Sequence, residues 1–126
     1  METRKESYQS FTDLEVWKAT RQFKKGMECL AKTFPPEEKF RLSDQLVRSV
    51  RSINGNIAEG HGRFTYKDQL HFFVQARGSL SETLNHLIDA FDCNYISAEQ
   101  LASFQIQYAH VEKLLNGYIA YLRKKI

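Results

Sequence analysis

The chain has 126 residues, 42% of them apolar and 26% charged, and its 18 Lys and Arg against 15 Asp and Glu leave a net charge of +3. This composition fits one globular domain with its own core and excludes disordered, collagenous and disulfide-rich classes. No apolar run nears the ~20 residues of a membrane span, and polar Met1–Thr12 does not read as a secretory leader, so the expected compartment is the cytoplasm.

Residues 1–11 are polar and aperiodic and predict a mobile tail ahead of a folded unit over residues 12–126. Thr12 with Glu15 reads as a capping box, and Phe11 as a staple onto Val16. Val16, Thr20, Phe23, Met27, Leu30 and Phe34 then recur at helical spacing until Pro35-Pro36 stops them. The second helix has two candidate starts, Pro36 with Glu37 and Glu38, or Ser43 as N-cap. Its stripe is Leu42, Leu46, Val50, Ile53 and Ile57, and Gly60 or Gly62 is expected to close it in a left-handed cap.

Thr65 with Asp68 opens the third helix, which carries Leu70, Phe73, Val74, Leu80, Leu84, Leu87, Ile88 and Phe91 and ends at Cys93-Asn94. Ser97 with Gln100, flanked by Ile96 and Leu101, opens the fourth and is the clearest start signal in the chain. Its stripe runs from Leu101 to Leu122, and Arg123, Lys124 and Lys125 suit the negative end of the helix dipole. No strand or hairpin signal appears. Four amphipathic helices joined by short connections predict an all-α, up-down-up-down antiparallel four-helix bundle, a single domain with helices of roughly 22–30 residues. Phe72, Ala76, Ile106, Ala109, Ile119 and Tyr121 add apolar surface beyond one seam, which fits either a wide core face or a subunit interface.

Candidate chemistry is sparse. Cys29 and Cys93 are far apart and lack a CxxC neighbour, which reads as two reduced thiols. A di-metal bundle needs Glu-x-x-His pairs, and none occurs. Glu82, His86 and Asp89 are expected to point away from the leucine face. No phosphate-binding loop, zinc-protease motif or nucleophile elbow is present, so neither a catalytic residue, a metal nor a cofactor is expected. Of the glycines inside helices, Gly78 is expected to mark close helix packing.

Charge is uneven along the chain. From Lys39 to Lys67 six basic residues meet two acidic ones. Arg48 and Arg51 share a helix face, and Arg63 and Lys67 follow at the next turn. These four are the candidate phosphate contacts, since a guanidinium offers a bidentate fork. The alternative is an ordinary solvated face, with Glu59 as an intramolecular partner. Repetition in a ring would turn a small charge per subunit into a continuous basic surface.

Three segments carry a resemblance. Asp13-Leu14-Glu15-Val16-Trp17, Asn56-Ile57-Ala58-Glu59-Gly60-His61-Gly62-Arg63, and Phe72 with Ala76-Arg77-Gly78-Ser79-Leu80-Ser81-Glu82 stand in order. Together with Asn94-Tyr95-Ile96-Ser97 they are similar, over about residues 11–122, to the four-helix-bundle proteins named for 23S rRNA intervening sequences. The chain departs from that pattern at Ser52-Ile53-Asn54-Gly55, which lacks the proline often found there.

The resemblance implies a homopentameric ring. Through related accessory proteins of diversity-generating retroelements it also implies nucleic-acid binding by a basic ring surface. It carries over no catalytic residue. It marks Glu59, Gly60, Gly62 and Arg63 as structural turn or ligand contacts. Two functional classes follow: a homo-oligomer that binds RNA or DNA, and a scaffold for a polypeptide partner.

Overall fold

The computed structural model describes residues 10–126, so all but the last two residues of the expected tail lie outside the described residues. Those two are already folded. Ser10 caps a single 3-10 turn, Phe11–Asp13; its hydroxyl accepts from the Thr12 amide at 3.0 Å and its own amide donates to the Asp13 carboxylate at 3.3 Å. The expected Thr12–Glu15 box is thus replaced by a Ser10–Asp13 box. The Phe11 and Trp17 rings meet edge to face, with centroids 5.3 Å apart, which fixes the chain's angle of entry.

Helix α1 (Glu15–Ala31) starts from Leu14 without a side-chain cap and ends three residues before Phe34. A second 3-10 turn, Pro36–Glu38, follows, and α2 (Leu42–His61) begins only after it. Ser43 does not cap α2; its hydroxyl donates back to the Ala31 carbonyl at 3.3 Å. Glu38 does the capping from outside. One carboxylate oxygen accepts from the Leu42 amide at 3.3 Å and the other from the Tyr95 hydroxyl at 2.7 Å. That bond holds the Glu38 carboxyl below its ordinary range and pushes the Tyr95 hydroxyl up to about 12.

Thr65 caps α3 (Tyr66–Asp92) by accepting from the Asp68 amide at 3.1 Å. Asn94, at φ 63°, closes α3, with Asn94 N–H bonded to Phe91 and Tyr95 N–H to Ala90, the two bonds of a Schellman motif. Ser97 and Gln100 form the expected capping box of α4 (Ala98–Lys125), at 3.0 and 2.8 Å. With 17 and 20 residues, α1 and α2 are shorter than their periodicity suggests.

Each helix packs on its two neighbours in the cycle α1–α2–α3–α4, and the backbones of the diagonal pairs stay apart. The fold is therefore the expected antiparallel four-helix bundle. Phe23 and Met27 of α1, Ile53 and Ile57 of α2, Phe73 and Leu80 of α3, and Leu115 and Leu122 of α4 fill its centre. Burial of such side chains stabilises by roughly 1.5–3 kcal/mol each.

The α2–α3 seam is built differently, from small and hydroxyl residues. Thr83 donates to Ser49 and Ser79 to Ser52, both at 2.9 Å. Gly60 ends the seam. A Cβ there would sit 2.9 Å from Phe72 Cβ and 3.0 Å from the Phe73 ring, so the position admits no side chain. The expected left-handed cap is absent: α2 runs on through His61, and Gly62 stays right-handed at φ −82°. Gly78, expected to mark close packing, faces open space.

The same seam rotates α3 from its expected face. Small Ala76, Thr83 and Ala90 turn inward with His86, while Val74, Ile88 and Phe91 reach the surface. His86, expected outside, is buried, with its Nε2 3.2 Å from the Glu82 carboxylate. A helix flanked by two neighbours buries two stripes, and the leucine stripe marks only one of them.

Candidate nucleic-acid interface

The four cations expected to bind phosphate do not gather in one patch. Arg48 and Arg51 lie midway along α2, whereas Arg63 and Lys67 sit beyond its end, roughly 15–20 Å away at 1.5 Å per residue. Three of the four meet carboxylates within the chain, Arg48 in an exposed pair and Arg51 and Arg63 in closer ones. Arg48 Nε pairs with Asp44 at 3.1 Å, and Arg51 Nε donates to Glu28 of α1 at 2.6 Å. Arg63 is the most tightly held. It donates to Glu59 at 2.7 Å, lies 3.8 Å from Asp68, and stacks its guanidinium 4.5 Å from the Phe72 ring centroid.

Gln69 Nε2 also donates to the Arg63 carbonyl at 2.9 Å, which fixes the backbone of the turn. Glu59, Gly60 and Arg63 thus form one structural unit that closes α2 onto α3. Gly62 completes it, its amide bonded to the Ala58 and Glu59 carbonyls. Lys67 is exposed and borders a shallow cavity of about 350 Å³ with Thr65, Asp68 and His71.

The uncompensated charge lies on α1. Between Lys18 and Lys25 stand Lys18, Arg21, Lys24 and Lys25, with no acidic residue among them. Lys18, Arg21 and Lys25 recur at three- and four-residue spacing and share the exposed face. Lys18 meets Glu15 only at 3.5 Å, both side chains being well exposed, a pair of the kind worth about 0–1 kcal/mol. Lys18, at the end of the first turn, opposes the helix dipole, and the other three lie too far from either end to gain from it.

Trp17 stands at the N-terminal end of the stripe, and Arg21 places its guanidinium carbon 5.7 Å from the indole centroid. Thr12, Trp17, Lys18, Arg21, Gln22 and Lys25 enclose a surface cavity of about 410 Å³. Counting charge in the window Lys39–Lys67 passed over this cluster. The signal that finds it is a shorter window, with four cations and no acid in eight residues.

Other features bear on partners. Ala31, Phe34, Pro35, Pro36 and Val47 floor a cavity of about 470 Å³ where α1 meets α2, and Lys32 and Lys39 stand on its rim. Phe40 is 83% exposed and Ile106 of α4 73% exposed. Cys29 and Cys93 are both free and exposed. Among the described residues no three His, Cys, Asp or Glu side chains gather as a metal site, and no helix is long and apolar enough to cross a membrane.

No curated protein matches the chain. A crystal structure at 1.70 Å resolution of a protein of unknown function from the S23 ribosomal protein family of Bacteroides thetaiotaomicron VPI-5482 superposes with a TM-score of 0.77. It is 28% identical, and the match covers 83% of this chain and 95% of that one. The family model described as 23S rRNA-intervening sequence protein matches residues 12–117, and the chain belongs to that family.

Proposed function

We propose that this protein is a non-catalytic, cytoplasmic homo-oligomer, the pentameric ring that the resemblance implies, which binds nucleic acid through a basic surface on α1. The observation that carries this reading is the run Lys18, Arg21, Lys24 and Lys25, which has no acidic residue within it and lies against an aromatic ring. Cations on one helix face with only one weak ion pair among them attract a polyanion and release its counterions, whereas Arg51 and Arg63, 2.6 and 2.7 Å from their carboxylates, would first have to give them up. Exposed apolar residues on α3 and α4, Ile106 above all, support self-association.

Fluorescence anisotropy of labelled RNA and duplex DNA at low and near-physiological salt tests the reading. The triple change Lys18→Ala, Arg21→Ala and Lys25→Ala should reduce the slope of log K against log salt by about 3, one for each lost phosphate contact. Arg48→Ala should leave it unchanged. No binding at low salt by the intact oligomer would overturn the proposal. The cavity beside Pro35 and Pro36, with Phe40 exposed nearby, favours a second reading, a scaffold for a polypeptide partner. On that reading a protein binds with little salt dependence and no nucleic acid binds.

A further inference from the structure

We infer that the cavity beside Trp17 takes an unpaired nucleotide, so that the protein prefers single strands to duplexes; this rests on the nucleic-acid reading proposed above. The cavity's chemistry matches that unit part by part. Lys18, Arg21 and Lys25 supply three cations for phosphate, and Trp17 supplies the one indole in the chain. The Thr12 hydroxyl and the Gln22 amide bring donors and acceptors within reach of a sugar or a base edge. At about 410 Å³ this open cavity has room for one base with its sugar, part of which stays in solvent.

The indole is held ready. Phe11 meets it at 5.3 Å and 71°, an edge-to-face contact that sets the ring's plane, and Arg21 lies on the ring 5.7 Å from its centroid. An unpaired base can share the ring with that guanidinium, since bases stack on aromatic rings and on Arg alike. A base inside a duplex is stacked on both faces and has no face to offer. The cations alone would favour the duplex, whose phosphates are denser along the axis. Single-strand preference therefore belongs to Trp17.

Trp17 is half-buried, with one side packed on the core; Phe64, at the α2–α3 turn, is fully exposed, yet the neighbouring Arg63 is held by Glu59, Asp68 and Phe72. Lys39 beside Phe40 and Lys125 beside Tyr121 each set a single cation on an exposed ring, whereas the Trp17 cavity joins its ring to three.

Because Trp17 is the sole tryptophan, its emission reports on the cavity directly. The experiment uses the full-length oligomer, an oligoadenylate strand and its duplex with oligouridylate. Binding is followed by anisotropy of a labelled strand and, separately, by Trp17 emission. The expected result is quenching by the single strand and binding roughly tenfold tighter than to the duplex. Trp17→Leu should bring the two affinities together. Trp17→Phe, which keeps a ring against Phe11, should retain part of the difference and controls for folding. Equal binding of both forms with unchanged emission would overturn this inference and leave the proposed function standing. Quenching without any change of the affinity ratio in Trp17→Leu would overturn it too. Absence of anisotropy change with either ligand would overturn both readings.

Discussion

Gly60 is the one glycine at which an added Cβ would collide with a neighbouring helix, and it belongs to one of the segments that carry the family resemblance. A methyl group there meets Phe72 Cβ at 2.9 Å, and two side chains rooted on a packed helix cannot both retreat. Gly60→Ala should cost about 1–3 kcal/mol in chemical denaturation, the usual range for overpacking. Gly55, Gly78 and Gly117 are the opposite case. A Cβ at each meets nothing within 4 Å, and the helix pays for the missing side chain. In the isolated subunit each Gly→Ala change should add roughly 0.5–1 kcal/mol. An assembled ring that packs helices at these glycines would instead lose stability on the same change. Denaturation across a range of protein concentrations separates the two, since only the assembled form depends on concentration.

At the scale of elements, local signals and tertiary ones part company. The Ser97–Gln100 box and the Thr65 cap were legible because all their atoms lie within one turn. The start of α2 was not, because its cap, Glu38, is held by Tyr95, 57 residues further along. Arg51 is hidden in the same way: its partner Glu28 is on another helix, while the partners of Arg48 and Arg63 stand at the legible i−4 position.

The Glu38–Tyr95 bond gives a prediction with a sign. Glu38 is lowered by the Tyr95 hydroxyl, so this bond stabilises above the ordinary carboxylate range and fades as pH falls through the lowered value. Tyr95 is raised to about 12 by Glu38, so the contribution persists below the ordinary tyrosine value and is lost as pH rises through about 12. Tyr95→Phe should therefore melt below the parent at neutral pH, with the gap closing in acid. A gap that is constant with pH would mean that the hydroxyl acts through packing alone.

For the whole molecule, four helices and their order could be read from spacing, but the distribution of free charge could not. Net charge sums over ion pairs that only the packed bundle reveals, and removing paired Arg48, Arg51 and Arg63 moves the basic surface from α2 to α1. The same limit applies to apolar surface. Periodicity on α3 mixed core with exterior because the α2 seam is lined with Ser, Thr, Ala and Gly rather than with leucine. The sequence left open whether the surplus apolar residues are core or interface. The structure divides them: Ala76 and Ile119 are core, whereas Ile106 stands 73% exposed on α4.

Ile106 therefore tests assembly without touching the fold. In a lone subunit Ile106→Glu replaces one solvated side chain with another, a change usually worth under ~0.5 kcal/mol. In a subunit interface the same carboxylate would be buried without a partner, which costs several kcal/mol per site and recurs at every copy in a ring. Sedimentation should show the parent as an oligomer and Ile106→Glu as a folded monomer with unchanged helical signal. Nucleic-acid affinity should fall with it, because a ring presents the α1 cations several times over to one polyanion. A parent that sediments as a monomer would remove the ring from the proposal. An Ile106→Glu protein that stays assembled would move the interface to Val74, Ile88 and Phe91 on α3.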